Sequence, residues 1–163
     1  MNWCKALVTR ESLRLLARAA LTSLAYFISA RMGVALLFQP HSGASFWPPS
    51  GPLVGVLARR NQRTWPIILL AVIPANIMAN LLAGKSLAIS SAFALINGVA
   101  NAIGAWLLVH FIGRCARLTQ MKEVLGLIAL PGIIGSALSA TLAAVVVTQG
   151  MGIPSFWSVW YAW

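Results

Sequence analysis

Apolar residues are concentrated in segments that short polar stretches separate from one another. No segment alternates polar and apolar residues with the period of two that a membrane strand requires, so we expect helices. The predicted fold is all-α: a polytopic transmembrane helix bundle of five helices plus the start of a sixth at Phe156. The five helices are expected at about Leu15–Phe38, Pro48–Leu57, Pro66–Ala83, Leu87–Ile112 and Val124–Thr148.

Two Trp-Pro pairs flank the second apolar segment. Trp47 precedes Pro48 and Pro49, and Trp65 precedes Pro66. Proline disrupts a helix interior but is tolerated at the first helical position, and tryptophan favours the membrane interface. Each pair is therefore predicted to be an interfacial anchor followed by a helix start, one at each face of the bilayer. The helix between them is expected to make one short crossing.

Composition places the chain among integral membrane proteins. Its mean hydropathy is +0.83, 60% of its residues are hydrophobic, and only 9% are charged. A soluble domain carries about 25% charged residues and has too little interior to bury so many apolar side chains. The net charge of +10 accompanies no basic stripe with interleaved aromatic residues. We therefore expect the lipid bilayer, and not nucleic acid, as the partner of the positive charge.

Basic residues fall in alternate connections, which predicts the orientation. The connections expected outside carry almost no charge, whereas positive residues mark cytoplasmic loops. The N-terminus is thus predicted to be cytoplasmic, with residues 1–14 a basic amphipathic lead-in, residues 15–163 a transmembrane sensor-like domain, and Trp47 at the outer face. Outside the N-terminal segment, the determinants of this topology are Arg59, Arg60, Arg63, Arg114, Arg117 and Lys122.

Four asparagines form two pairs with helical spacing. Asn76 and Asn80 lie four residues apart, as do Asn97 and Asn101, so each pair shares a helix face. An amide in hydrocarbon requires a partner, so both pairs should point into the bundle. Hydrogen bonding between helices is one interpretation, and a small polar pocket that recognises a signal is the other. Such a pocket would lie where Trp47, Pro48 and Pro49 meet these helices.

Small residues at four-residue spacing predict close helix packing. Gly132, Ser136, Ala140 and Ala144 follow one another in this way, and Gly104 narrows the preceding helix. The adjacent face carries Gly135, Ser139 and Ala143. Small side chains let helix backbones approach closely in membranes. The spacing is equally compatible with packing inside one chain, with a homo-oligomer, and with a partner's transmembrane helices.

Catalytic and metal-binding patterns are absent from the sequence. It has no nucleophile–base set, no paired carboxylates and no phosphate-binding glycine loop, and its two acids are Glu11 and Glu123. Both acids are expected near the cytoplasmic face, so a proton or cation relay through the membrane would have almost no groups to use. We therefore expect no enzyme activity, no metal and no cofactor.

The order of motifs over roughly residues 20–163 is more specific than any single one. These motifs are Ser45–Gly51 (Ser-Phe-Trp-Pro-Pro-Ser-Gly), Trp65-Pro66, Ala75-Asn76, Asn97, Gly104–Leu108 and the tryptophan run from Phe156 to Trp163. Together they resemble the bacterial membrane-associated sensor domain of the first type. The resemblance implies a sensory-input module of the cytoplasmic (inner) membrane, answering to an unknown small-molecule signal. It also implies fusion to a diguanylate cyclase, a phosphodiesterase or a histidine kinase.

The same resemblance implies more helices after Trp163, so we expect a truncated member without its output domain. Two other classes of protein remain open from the residues alone. One is a small multi-pass transporter or channel subunit, and the other is a structural protein that binds a partner in the membrane.

Overall fold

The computed structural model of the chain describes residues 2–35, 47–114, 119–151 and 155–163. This part is 87% helical and has no strand, which confirms the all-α transmembrane bundle. The helices are α1 (Asn2–Ala35), α2 (Ser50–Ala58), α3 (Trp65–Leu81), α4 (Leu87–Phe111), α5 (Met121–Leu127), α6 (Ser136–Met151) and α7 (Phe156–Ala162). A 3₁₀ turn (Gln62–Thr64) leads into α3, and a π-helical segment (Ile128–Gly135) joins α5 to α6.

The predicted count of five helices and the start of a sixth is slightly off. Because α5, the π segment and α6 form one continuous rod, the described residues make six helices, of which four are long and apolar enough to span a membrane. Those four are Arg10–Ala35, Gln62–Leu81, Leu87–Phe111 and Met121–Gly150.

Helix α1 begins at Asn2, well before the predicted start at Leu15. Its sequence contains no proline and a single glycine, Gly33, so nothing in it interrupts the helical backbone. The basic lead-in and the first apolar segment are therefore one helix.

Helix α2 is too short to cross a bilayer by itself, and residues 36–46 before it lie outside the described residues. Its nine residues rise about 13 Å, against a hydrocarbon core of about 30 Å. Pro48 and Pro49 prevent the helix from extending towards its N-terminus because they cannot donate backbone hydrogen bonds. Helix α2 is thus a half-length helix inside the bundle.

Helices α1 and α3 run parallel, with α2 packed against α1 and α4. Ser23 Oγ donates a 2.7 Å hydrogen bond to the carbonyl of Ala71, and Tyr26 lies beside Asn76 further along. The larger hydrophobic core gathers at this junction. It includes Tyr26, Ala30, Leu53, Val54, Leu57, Ala58, Trp65, Ile68, Val72, Ala75, Ala79, Ala105 and Leu108.

Helix α4 packs antiparallel to the rod from α5 to α6 at very short range. An added Cβ on Gly104 would lie 2.9 Å from Pro131 Cβ, and one on Gly135 would lie 3.7 Å from the carbonyl of Ala100. Pro131 lies inside the π segment, where the wider turn accommodates a proline that lacks an N–H.

The longer π turn also changes which small residues face α4. Gly135, Ser139 and Ala143 are buried, whereas Gly132 and Ser136 are exposed. Of the predicted packing stripe, Ala140 and Ala144 lie in the interior, at 5% and 0% exposure. The regular four-residue spacing did not allow for the shift in register that the π segment introduces.

Candidate functional site

The centre of the bundle holds a polar network, here called the Tyr26 network, formed by Tyr26, Trp47, Asn76 and Asn80. The Nδ2 of Asn76 donates to the Tyr26 hydroxyl at 2.7 Å, and the indole Nε1 of Trp47 donates to the same oxygen at 3.4 Å. Asn80 Nδ2 donates to Asn76 Oδ1 at 2.8 Å. Tyr26, Asn76 and Asn80 are 2%, 1% and 4% exposed. The phenol therefore joins α1, α3 and the segment that enters α2.

Trp47, predicted to be an interfacial anchor, is half-buried and its indole N–H bonds within the protein. Its N–H bonds to Tyr26, nine residues before the end of α1 at Ala35, which corresponds to about 13 Å along the helix. On α3 the network partner Asn76 lies five residues before Leu81, about 7 Å from that end. The expected contact of the indole with interfacial water is replaced by a hydrogen bond inside the protein. Beside it, Pro49 is fully buried.

The second asparagine pair belongs to a different network, here called the Asn97 network. Asn101 Nδ2 donates to the carbonyl of Asn97 at 2.7 Å, and Ser139 Oγ lies 3.5 Å from Asn97 Oδ1. Trp163 Nε1 donates to Ser139 Oγ at 2.8 Å, and its ring packs edge-on against Phe93 with 4.6 Å between centroids. This network holds α7 against α4 and α6.

The structure thus divides the four asparagines between two sites. Among the described residues, no hydrogen bond connects the Tyr26 network to the Asn97 network. Of the residues predicted to form one pocket, Trp47, Asn76 and Asn80 share a network, with Pro48 and Pro49 next to Trp47 in the chain. Asn97 and Asn101 lie apart from them. Each amide has at least one hydrogen-bond partner within the protein.

A groove between α1 and α2 was not anticipated from the sequence. Two adjoining cavities form it, with volumes of about 230 and 540 Å³. Both are lined by Leu21, Thr22, Pro52 and Val56. The smaller one reaches Tyr26 and Pro49, and the larger one ends among three arginines, Arg18, Arg59 and Arg60.

The sequence did contain a signal for this groove. Arg18, Leu21, Thr22 and Ala25 recur on α1 at the spacing of one helix face, and Pro52, Gly55, Val56 and Arg59 do so on α2. Each set has an arginine at one end, and apart from Leu21 its other residues are small or β-branched. Because most of these side chains are short, they do not fill the space between the two helices.

The remaining topology determinants are dispersed. Arg63, Arg114 and Lys122 are exposed, and Arg117 lies outside the described residues. Arg59 and Arg60 line the groove with Leu15 and Arg18, so the turn after α2 lies on the same side of the bundle as the first half of α1. Among the described residues, no group of three or more His, Cys, Asp or Glu side chains could hold a metal ion.

Comparison with known proteins gives one match. The family model MASE1 matches residues 18–163, which is nearly the whole chain. No curated protein and no solved structure matches it.

Proposed function

Because this chain belongs to the MASE1 family of membrane-associated sensor domains, we propose that it is the sensory-input module of a bacterial signal-transduction protein. In this proposal it lies in the cytoplasmic membrane with its N-terminus inside. It passes a change in helix arrangement to an output domain such as a diguanylate cyclase, a cyclic-di-GMP phosphodiesterase or a histidine kinase. The module itself performs no catalysis.

The observation that carries this proposal is the Tyr26 network. A single buried hydroxyl accepts hydrogen bonds from Asn76 on α3 and from Trp47 at the entrance to α2. Polar bonds between membrane helices contribute only about 0.6 kcal/mol on average, because the same groups also find partners when the protein is unfolded in the membrane. A junction of this kind is therefore suited to exchange between two helix arrangements of similar free energy.

The test uses the protein encoded by the complete reading frame, reconstituted in lipid nanodiscs. Tyr26→Phe removes the shared acceptor, and Tyr161→Phe is the matched control because Tyr161 is 77% exposed. Loss of about 0.6 kcal/mol shifts a two-state equilibrium about threefold. We therefore expect Tyr26→Phe to change the basal output activity about threefold and Tyr161→Phe to leave it unchanged.

The measurement is cyclic-di-GMP synthesis or hydrolysis, or autophosphorylation, according to the output domain. Equal output from wild type and Tyr26→Phe would count against a sensory role for the network. Solute-dependent flux in liposomes containing the chain would instead support a transporter or channel subunit.

A further inference from the structure

The groove between α1 and α2 has the dimensions of a lipid chain in one leaflet. From Arg18 to Tyr26 the helix α1 rises about 12 Å along the groove, and Leu15 lines it about one turn before Arg18. Half of a hydrocarbon core of about 30 Å is about 15 Å. The groove therefore runs from a basic end through most of the depth of one leaflet.

The wall of the groove is mostly apolar, and the space beside it is not filled by protein atoms. Six of the ten residues around the larger cavity are Leu15, Leu21, Pro52, Gly55, Val56 and Ile68. An added Cβ on Gly55 would meet no atom within 4 Å. A small soluble anion would leave this wall unfilled, whereas an acyl chain would cover it.

The basic end has no acid of the chain to neutralise it. Neither Glu11 nor Glu123 lines the cavity. Glu11 lies seven residues before Arg18 in α1, about 10 Å along the helix. Glu123 Oε2 accepts the backbone N–H groups of Thr119 and Gln120 at 3.0 and 3.4 Å. Three arginines beside an apolar wall favour a negative partner, which a lipid phosphate supplies.

We propose that this groove binds one anionic phospholipid. Its phosphate lies among Arg18, Arg59 and Arg60, and one acyl chain follows the groove towards Pro49 and Tyr26. Lipid binding at this site goes beyond the proposed function, and its test requires no output domain. A negative result in the signalling experiment would not contradict lipid binding, and a negative result in the lipid experiment would not contradict the sensory role.

The test measures retention of phosphatidylglycerol and phosphatidylcholine by the full chain in native mass spectrometry from mild detergent. Each arginine near a membrane surface contributes about 1 kcal/mol to anionic lipid binding. We expect one phosphatidylglycerol to be retained in preference to phosphatidylcholine. The triple variant Arg18→Gln/Arg59→Gln/Arg60→Gln should bind it at least about tenfold more weakly.

A matched variant controls for net charge. Arg63→Gln/Arg114→Gln/Lys122→Gln removes three positive charges from exposed residues outside the groove, so binding should change less than about twofold if the site is local. Equal weakening by the two triple variants would reduce the effect to diffuse electrostatics and overturn the proposal. Equal retention of phosphatidylglycerol and phosphatidylcholine would also overturn the proposal.

A second pair of variants tests the acyl-chain groove without touching a charge. Gly55→Leu fills the cavity, and Gly51→Leu is the control on the same helix, exposed and outside both cavities. Neither position has an atom within 4 Å of an added Cβ, so both variants should fold. We expect Gly55→Leu alone to lose the lipid. Wild-type binding by Gly55→Leu, or full competition by millimolar glycerol phosphate, would show an anion site without a lipid chain and overturn the proposal.

Discussion

Single atoms decide how closely the helices of this bundle approach. At Gly104 the neighbouring helix presents Pro131, whose Cβ and Cα would lie 2.9 and 3.0 Å from an added Cβ. Proline backbone cannot move aside as a flexible side chain does. Gly98, on the same helix, has no atom within 4 Å of an added Cβ. The two glycines therefore have different roles despite their similar place in the sequence.

We predict that Gly104→Ala destabilises the protein and that Gly98→Ala does not. The clash with Pro131 should cost about 1–3 kcal/mol, as other overpacked sites do. Gly98→Ala should be neutral or stabilising by up to about 1 kcal/mol, because alanine favours the helix. Unfolding of the purified chain in a mixed detergent series measures both. Equal stabilities of the two variants would show that the short contact at Gly104 is not a constraint.

Burial also separates two serines on α6. Ser139 is 7% exposed and accepts the Trp163 N–H at 2.8 Å. Ser136, three residues earlier, is exposed. The hydroxyl of Ser139 connects α7 to Asn97 on α4, whereas that of Ser136 makes no such link among the described residues.

We predict that Ser139→Ala loosens α7 and that Ser136→Ala does not. The lost hydrogen bond should cost about 0.6–2 kcal/mol. Limited proteolysis at the C-terminal end should therefore proceed faster in Ser139→Ala than in wild type, with Ser136→Ala as the control. Identical cleavage of both variants would mean that Trp163 is held by its contact with Phe93 alone.

At the scale of helices, the long elements followed from the sequence and the irregular ones did not. Helix α4 extends over Leu87–Phe111, within one residue of the expected bounds, because a continuous apolar run determines a spanning helix. The half-length of α2 reflects Pro48 and Pro49, and the π segment accommodates Pro131, but the spacing of apolar residues did not reveal either irregularity. The spacing of the asparagine pairs correctly predicted that they lie in the interior. It did not show that the two pairs belong to separate networks, because that depends on which helices pack together.

The half-length of α2 leads to a prediction about depth. In a background of Cys4→Ser/Cys115→Ser, we expect Ser50→Cys to resist a membrane-impermeant maleimide, because α2 begins inside the bundle beside Trp47 and Pro49. Gln62→Cys, in the exposed turn before α3, should react when the inner face of the membrane is accessible. Lys85→Cys, in the exposed turn after α3, should react from outside in intact cells.

These three labelling patterns also test the orientation that the basic residues predict. Labelling of Ser50→Cys from outside as fast as Lys85→Cys would place the start of α2 at the surface. Labelling of Gln62→Cys from outside would show that the orientation is opposite to the predicted one.

At the scale of the whole molecule, the described helices form two units of packing. One unit contains α1, α2 and α3 around the Tyr26 network and borders the groove. The other contains α4, α6 and α7 around the Asn97 network, with Phe93, Ile96, Ala143 and Val147 as its core. Helix α4 takes part in both, because Ala105 and Leu108 belong to the first core. Helix α4 is therefore the element that the two units share.

The measurement that tests the sensory account most directly is the nucleotide sequence that follows the Trp163 codon. An input module of this family should be continued in frame by further apolar helices and then by a cytoplasmic signalling domain. A frame that closes without any such remnant would contradict the account, because a sensory module requires an output.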